Sequence, residues 1–453
     1  MGTATLVACA LPWLPLAFIL MPMGMFMPAY YASHTAATLA GAGLAIGLAR
    51  ALAACADPWI GLLSDRTRSA IGPRKPWVLA GTALTVLCVW RLFQPPPDAG
   101  FLYCLFWSAG LYVAIACVEI PLRAWGSELT PAPAQRVRLF TTVGWVAAVG
   151  NLAFWLLPLL TQGGIGSPGV GDPQAMTWVV AAFAIVLAAT VLMATVGIPH
   201  ARPVPPPRDP VRQALRAVAR NKPFRWYTAG MTLWGLGSGT GISVLFIYMA
   251  DTLKLGAEAA PLMVVFFSVQ LVAMPWWVRL QAHFSKHRLL AACWLLDALI
   301  KPALFLIDPA APDLVLLYGL FVVSGVLGSI SYSFPNAVLA ELVDFDFLQS
   351  RARRTASYFA VNTFLFKVTM GLGTGLGLLI LGASGYTVGQ PHTTDALWGM
   401  WIGIVVVPAI CLMAASALMW HYPLNARRHA AIARRLAARQ RAQLLPGRHQ
   451  AAS

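Results

Sequence analysis

Eight ionisable residues lie well inside long apolar runs of this chain, where a charged side chain is costly unless it is paired, hydrated or functional. Carboxylates in such places can bind a proton or Na⁺, and basic side chains can balance them or contact a polar solute. These residue types therefore indicate ion binding and solute binding inside a membrane. The eight residues are Arg50, Asp57, Arg91, Glu119, Arg123, Asp297, Lys301 and Lys367.

Asp57 is the candidate for binding the coupling cation. It lies about two turns inside an apolar run, and we predict that a basic residue on another helix balances its charge. Arg50 is seven residues earlier, which places both side chains on one face of a helix, about 10 Å apart along the axis. Arg50 is also a candidate for lining a substrate cavity. A fixed ion pair between Asp57 and Arg50 is the alternative interpretation.

Glu119, Arg123 and Lys367 are further candidates for lining the cavity. Glu119 and Arg123 are four residues apart, so a local neutralising pair is an equally good interpretation. Lys367 lies about 12 residues into its apolar run, near the middle of a bilayer, where a lysine needs a carboxylate, water or solute nearby. Asp297 and Lys301 are one turn apart, and we predict a structural pair there.

The composition predicts a protein with many membrane-spanning helices. Of 453 residues, 58% are hydrophobic and 11% are charged, and the mean hydropathy is +0.69. No soluble domain of this size needs so much apolar surface. The formal net charge of +16 could suggest nucleic acid, but most basic residues lie in alternate loops and in the tail. This is the positive-inside pattern, which predicts that both termini are cytosolic and that no nucleic acid is bound.

Apolar runs of about 20 residues, each long enough to cross a bilayer as a helix, predict an all-α protein with twelve spans. They lie near residues 8–32, 37–63, 77–93, 101–124, 139–160, 175–197, 226–249, 260–278, 288–306, 314–340, 355–381 and 396–420. A proline-rich, basic stretch between the two sets of six predicts a cytosolic linker. We therefore predict a six-helix bundle over residues 1–197, the linker over 198–225, a second bundle over 226–422 and a basic cytosolic tail over 423–453.

A weak internal repeat supports two equal halves. Glu128 and Glu341 are 213 residues apart, and the same offset separates Arg138 from Arg351. Parallel halves of this kind place a substrate cavity between the bundles, near the middle of the membrane.

No motif predicts an enzyme, a metal site or a cofactor. The seven cysteines lie in apolar runs without metal-ligand or disulfide spacing. His283 and His287 lack the acidic residue of a zinc-binding H-E-x-x-H helix. The glycine-rich residues 235–241 and 371–377 fit no nucleotide-binding motif, and their G-x-x-x-G spacing predicts close helix packing. We predict no catalytic residue, no metal and no cofactor beyond a coupling ion, H⁺ or Na⁺.

Residues 57–76, DPWIGLLSDRTRSAIGPRKP, predict the end of one membrane helix, a tight basic turn and the start of the next helix. Gly61 lacks a side chain, so another helix can approach closely. Asp65 is placed where a carboxylate could face the positive N-terminal end of a neighbouring helix. Arg66 and Arg74 belong to the basic turn, which the positive-inside rule places in the cytosol. We predict that these four residues form a conformational gate that holds the cytosolic side closed.

This stretch resembles the loop between helices 2 and 3 of major facilitator superfamily transporters. The spacing of GLLSDRTR and GPRKPW is similar to the glycoside–pentoside–hexuronide:cation symporters, the family that contains melibiose permease. Two stretches extend the resemblance, CVEIPLRAWGSELTPAPAQRVRL from Cys117 and AELVDFDFLQSRARRTASYFAVNTFLFKVTMGLG from Ala340. The resemblance implies the major facilitator superfamily fold, with twelve helices in two six-helix bundles. It also implies that Glu119 corresponds to an acidic sugar contact and Lys367 to the family's helix 11 lysine.

The chain departs from the melibiose permease pattern in three places. No carboxylate precedes Asp57, position 53 is Ala where that permease is acidic, and no Arg lies between Arg138 and Arg202. These losses argue against disaccharide recognition and against a Na⁺ site built from several carboxylates. One carboxylate suits a proton better than a metal ion.

The residues and the resemblance together predict an integral protein of the bacterial inner membrane that carries a small organic solute by alternating access. We expect symport with a cation, H⁺ in preference to Na⁺, and a sugar or glycoside as the solute. Transport of an amphiphile or lysolipid is one alternative, because the first helix is apolar and rich in Met, and an efflux carrier is another. The expected partners are the solute and the lipid bilayer, and we expect a monomer.

Overall fold

The structure, a computed structural model, describes residues 2–25, 27–37, 39–130, 133–160, 173–198, 219–255, 258–308, 311–350, 354–386 and 393–424, and in these ranges it has no β-strand. Its α-helices, numbered in chain order, are α1 (Thr3–Ala10), α2 (Trp13–Met25), α3 (Met27–His34), α4 (Leu39–Arg66), α5 (Lys75–Phe93), α6 (Phe101–Leu129), α7 (Pro133–Leu160), α8 (Pro173–Gly197), α9 (Lys222–Ile247), α10 (Ala259–Leu280), α11 (Lys286–Ile300), α12 (Leu314–Ser350), α13 (Thr355–Ala383), α14 (Thr394–Trp401) and α15 (Val407–Trp420). Most of the predicted linker (198–225) and nearly all of the predicted tail (423–453) lie outside the described residues. The proposed division of the chain at these boundaries therefore stays a prediction.

Eleven helical segments of the described residues are long and apolar enough to cross a membrane. Helix α9 is a further helix of sufficient length, with 26 residues, or about 39 Å. Its middle, GLGSGTG, consists mainly of Gly, Ser and Thr. The eleven segments and α9 account for the twelve predicted spans.

Several helices are interrupted within their spans. A turn at residues 11–12 separates α1 from α2. Helix α11 ends at Ile300, immediately before a 3₁₀ turn over Lys301–Leu306 that contains Pro302, because proline cannot continue the α-helical hydrogen-bond pattern. Turns of π-helix follow α9 at Tyr248–Thr252 and precede α15 at Ile402–Val406.

Helices α9 and α13 cross with their backbones in contact. A Cβ atom on Gly239 would lie 2.2 Å from the carbonyl oxygen of Met370, and one on Gly373 would lie 2.1 Å from that of Leu236. Only glycine permits this approach, so the close helix packing predicted for residues 235–241 and 371–377 is confirmed.

The first half of the chain (α1–α8) meets the second half (α9–α15) along two lines of contact. Helix α4 packs on α13, and α7 packs on α10 and α12. Helix α4 ends and α13 begins at the same end of the molecule. We call this the basic end, because Arg66, Arg74, Arg136 and Arg354 lie there.

Candidate functional site

Gly61 lies where α4 and α13 approach most closely. A Cβ atom at this position would lie 2.4 Å from the Cβ of Ala360 and 2.7 Å from the carbonyl oxygen of Ala356. Both distances are shorter than non-bonded contacts allow, and one of them is to the backbone. Gly61 therefore permits the two halves to touch, as the sequence predicted, and its role as a gate stays a prediction.

One turn further, the carboxylate of Asp65 caps the N-terminus of α13. Its oxygens accept hydrogen bonds from the backbone amides of Ala356 at 3.1 Å and Ser357 at 2.9 Å, and from the Ser357 hydroxyl at 2.7 Å. A carboxylate is favourable there because the first amides of a helix have no partner within the helix and the helix dipole is positive. The predicted placement of Asp65 at a helix N-terminus is thus what the structure contains.

Arg74 connects this contact to the first half. Its guanidinium donates to Asp65 and to Glu128, both at 2.7 Å, and to the Ser64 hydroxyl at 2.9 Å. Burial acts against the charge of Arg74, but Glu128 and Asp65 outweigh it and raise the pKa of the guanidinium. Arg66, the last residue of α4, is half-buried. Of the two predicted gate arginines, Arg74 supplies the cation beside Asp65.

A second polar contact between the halves was not assigned from the sequence. The guanidinium of Arg136, near the start of α7, donates to both oxygens of Asp344 at 2.5 and 3.0 Å and to the carbonyl oxygen of Ala340 at 3.1 Å. Asp344 lies in the acidic segment AELVDFD, and Arg136 in the basic segment QRVRL. Both segments had been recognised, but only the fold shows that they meet.

Deeper in the membrane, Asp57 pairs with Lys367 across the two halves. The Lys367 ammonium lies 3.1 Å from Oδ1 and 2.9 Å from Oδ2 of Asp57. The carboxylate is fully buried, and Lys367 is its only hydrogen-bond partner among the described residues. The prediction that a base on another helix balances Asp57 agrees with this geometry, and so does the prediction that Lys367 needs a carboxylate nearby.

The alternative pair between Asp57 and Arg50 is not what the structure shows. Arg50 is exposed, whereas Asp57 is turned into the contact with α13. Within the part of the chain that the structure describes, Arg50 makes no hydrogen bond or ion pair, although it lies within electrostatic range of the Tyr112 hydroxyl. The two residues share a face of α4, but Asp57 is paired with Lys367 on α13.

Glu119 and Arg123 on α6 form the local ion pair that their spacing predicted. Arg123 also donates to the Asn336 side chain on α12 at 2.9 Å, and its guanidinium lies 4.5 Å from the ring centre of Trp13 on α2. Arg123 and Asn336 are 213 residues apart, the same offset as the internal repeat, so corresponding positions of the two halves touch here. Trp13 and Asn336 were missed because neither is ionisable.

The contact between α4 and α13 opens away from the basic end. Cβ atoms added to Gly43, Gly47 or Gly371 would have no heavy atom within 4 Å, in contrast to Gly61. The pair Asp57–Lys367 lies between these two regions. It therefore lies where the close contact near the basic end gives way to an open space beside α4 and α13.

Asp297 and Lys301 form the predicted structural pair, with the ammonium 3.4 Å from the carboxylate, and Ser324 donates to the other Asp297 oxygen at 3.0 Å. In the described residues, no group of His, Cys, Asp and Glu is arranged to hold a metal ion.

Comparison with known proteins identifies transporters throughout. The family model described as "MFS/sugar transport protein" matches residues 7–426. The inner membrane symporter YicJ of Escherichia coli (strain K12) is 25% identical over 401 residues, covering 83% of this chain and 82% of YicJ. The glucuronide carrier protein homolog of the same organism is 24% identical over 88% of each chain. The isoprimeverose transporter of Lactiplantibacillus pentosus is 24% identical over 83% of this chain and 79% of its own.

Solved structures show the same fold. The crystal structure of the major facilitator superfamily transporter FucP in the outward conformation superposes with a TM-score of 0.62 at 16% identity, covering 93% of this chain and 98% of FucP. An outward-facing bacterial homologue of the iron transporter ferroportin gives a TM-score of 0.66 at 13% identity, with the same coverage. These relatives are transporters rather than enzymes. Because the family model spans most of the chain, this protein belongs to the MFS/sugar transport protein family of the major facilitator superfamily, among relatives that are glycoside, pentoside and hexuronide symporters.

Proposed function

We propose that this protein couples the entry of protons to the uptake of a sugar or glycoside. The family supports cation-coupled symport of such solutes. The observation that favours a proton is the Asp57–Lys367 pair. Asp57 is a fully buried carboxylate of the first half, and its single partner among the described residues is a lysine of the second half.

A proton fits this site better than Na⁺. Hard cations require several oxygen ligands, and the other carboxylate within electrostatic range of Asp57 is Glu119, which is already paired with Arg123. A proton needs one oxygen atom. Protonation of Asp57 would remove its attraction for Lys367 and leave the lysine free to contact solute or water.

The pair also links ion binding to movement of the two halves. Asp57 lies one turn from Gly61 and two turns from Asp65, on the face of α4 that meets α13. Loss of the ion pair would weaken the α4–α13 contact only at this depth. Opening of the basic end would also require the separation of Asp65 from the amides of α13 and of Arg136 from Asp344. Release of proton and solute would follow that separation.

Asp57→Asn tests the coupling. The amide mimics a permanently protonated carboxylate, so the variant should exchange labelled solute across the membrane but fail to accumulate it against a gradient. Asp297→Asn is the matched control, because Asp297 is also an intramembrane carboxylate paired with a lysine and should accumulate solute normally. The variants are compared at equal protein amounts in proteoliposomes, with a pH gradient and then with a Na⁺ gradient. Normal uphill uptake by Asp57→Asn would exclude the coupling role, and uptake driven by Na⁺ alone would exclude the proton.

We also propose that the basic end faces the cytosol and that both termini are cytosolic. The positive-inside rule supports this orientation. The described space would then be open to the outside, in an outward-facing state. Reporter fusions after Gln94 and after Ala426 should report opposite sides of the membrane, and the same side for both would contradict the topology.

A further inference from the structure

We propose that Arg50 binds a carboxylate of the transported solute, so that the substrate is an acidic sugar or an acidic glycoside rather than a neutral one. The inference rests on the proposed uptake of a sugar or glycoside. It is carried by the position of Arg50, by the open space around it and by the lack of any hydrogen bond or ion pair to Arg50 among the described residues.

Arg50 points toward the interior of the protein and not toward lipid. Leu48 and Leu52 are 43% and 58% exposed on the outer face of α4. Arg50 is two residues from each, which turns it about 200° away from them. It shares its face with Asp57, seven residues later, which is fully buried against α13.

The exposure of Arg50 therefore arises from a cavity between the halves. Gly43 is seven residues before Arg50 and lies on the same face, and a Cβ there would meet nothing within 4 Å. On α13, Gly371 is one turn beyond Lys367, and the space beside it is open in the same way. Arg50 thus lies above the Asp57–Lys367 pair on the wall of the open space.

In the part of the chain that the structure describes, no carboxylate balances the charge of Arg50. The first 56 residues contain no Asp or Glu, so α1, α2, α3 and the preceding part of α4 supply no counter-ion. The carboxylates of Asp57 and Glu119 are each paired with another base. The buried phenol of Tyr112 lies within electrostatic range of Arg50, and a phenol carries no charge at physiological pH.

An arginine without a counter-ion in an open cavity attracts anions, and its geometry favours a carboxylate. Its planar guanidinium matches a carboxylate through two parallel hydrogen bonds, which a hydroxyl group cannot form. Cotransport of one proton on Asp57 with one carboxylate on Arg50 would move no net charge. The proposal therefore also predicts uptake that does not depend on the membrane potential.

Ligand-induced thermal stabilisation of the purified protein tests the substrate class. The probes are matched pairs that differ in one carboxylate: glucose and glucuronate, galactose and galacturonate, and methyl glucoside and methyl glucuronide. We expect stabilisation by an acidic member and not by its neutral partner, and loss of this effect in Arg50→Gln. Arg91→Gln is the matched control, because Arg91 is an exposed arginine at the end of α5, over the ring of Trp107, and should respond as the wild type does.

A second measurement tests the potential of the cavity without any substrate. A cysteine placed at Gly371 in a cysteine-free background is labelled with anionic and with cationic thiosulfonates. At a separation of about 10 Å, one unit charge changes the labelling rate of each charged reagent by about 2-fold at a dielectric constant of 80 and by about 17-fold at 20. Because the two reagents respond in opposite directions, Arg50→Gln should lower the anionic-to-cationic ratio at least about 4-fold, and Arg91→Gln should leave it unchanged.

The outcomes separate this inference from the proposed function. Stabilisation by neutral sugars alone would overturn the carboxylate assignment and leave sugar uptake intact. Stabilisation by acidic members that persists in Arg50→Gln would overturn the role of Arg50. Failure of every sugar in the panel would count against the carboxylate assignment and the sugar proposal together, and an unchanged labelling ratio would exclude Arg50 as the source of positive potential.

Discussion

Asp57 and Asp65 lie on the same face of α4, eight residues or about 12 Å apart, and both carboxylates are buried against α13. Asp65 accepts four hydrogen bonds, from Arg74, from two backbone amides and from a hydroxyl. Within the described ranges, Asp57 accepts a hydrogen bond from Lys367 only. On the same face of α4, the Asp65 carboxylate thus has four hydrogen-bond donors, whereas the Asp57 carboxylate has one.

The difference separates a structural carboxylate from an exchangeable one. A carboxylate that accepts several hydrogen bonds across a contact fixes the groups on both sides of it, so Asp65 is suited to hold the two halves together. A buried carboxylate with one partner loses its only ion pair when that partner leaves or when the carboxylate binds a proton. Asp57 is therefore suited to coupling, and four substitutions test this distinction.

The largest effect is expected for Asp65→Ala. It removes all four hydrogen bonds and leaves the buried Arg74 with Glu128, so the closed basic end should lose about 3–5 kcal/mol. We expect turnover to fall at least 10-fold while the protein still inserts. Transport rate at equal membrane abundance measures this, with Asp98→Ala, an exposed carboxylate in the loop after α5, as the control. A wild-type rate in correctly inserted Asp65→Ala would remove the gate assignment.

Gly61→Ala should have the next largest effect, and Gly61→Leu a greater one. The added Cβ would lie 2.4 Å from Ala360 and 2.7 Å from a backbone oxygen, and overpacking of this kind costs about 1–3 kcal/mol. Gly43→Ala is the matched control on the same helix, because its Cβ would enter open space. Equal transport rates for the two alanine variants would show that the close approach is not needed for turnover.

Arg136→Gln should weaken the second contact between the halves by a comparable amount. It removes the bonds to Asp344 and Ala340, and hydrogen bonds to charged groups contribute about 1.5–3 kcal/mol. The neighbouring exposed Arg138→Gln is the control. Turnover measured at increasing temperature should show the loss in Arg136→Gln alone. An identical profile for both variants would limit the gate to Asp65.

The smallest effect on stability is expected when both members of the deep pair are made neutral. Asp57→Asn with Lys367→Met should be about as stable as the wild type, because neutral replacement of a buried ion pair is often tolerated. Lys367→Met alone leaves a buried charge and should be the least stable of the three. Thermal unfolding of the purified proteins checks this order. A double variant less stable than Lys367→Met would mean that the pair serves structure.

Much of the site followed from local residue patterns. Gly61 was expected at a close approach, Asp65 at a helix N-terminus, and Glu119–Arg123 and Asp297–Lys301 as local pairs, and the structure contains each of these contacts. These features depend on spacing along one helix or on a single residue type, so sequence is sufficient. The spans were predictable for a related reason, since bilayer thickness sets their length.

Partners across the two halves required the tertiary structure. Asp57 and Lys367 are 310 residues apart, and Arg136 and Asp344 are 208 residues apart. No local pattern indicates that Lys367 rather than Arg50 is the partner of Asp57. Helical spacing alone favours Arg50, because it lies on the same face of the same helix. The sequence by itself determined the fold class, the membrane spans and which side chains could carry charge through the bilayer. The packing of α4 against α13 decided which charges are paired, because it closes the space at Asp57 and leaves it open at Arg50.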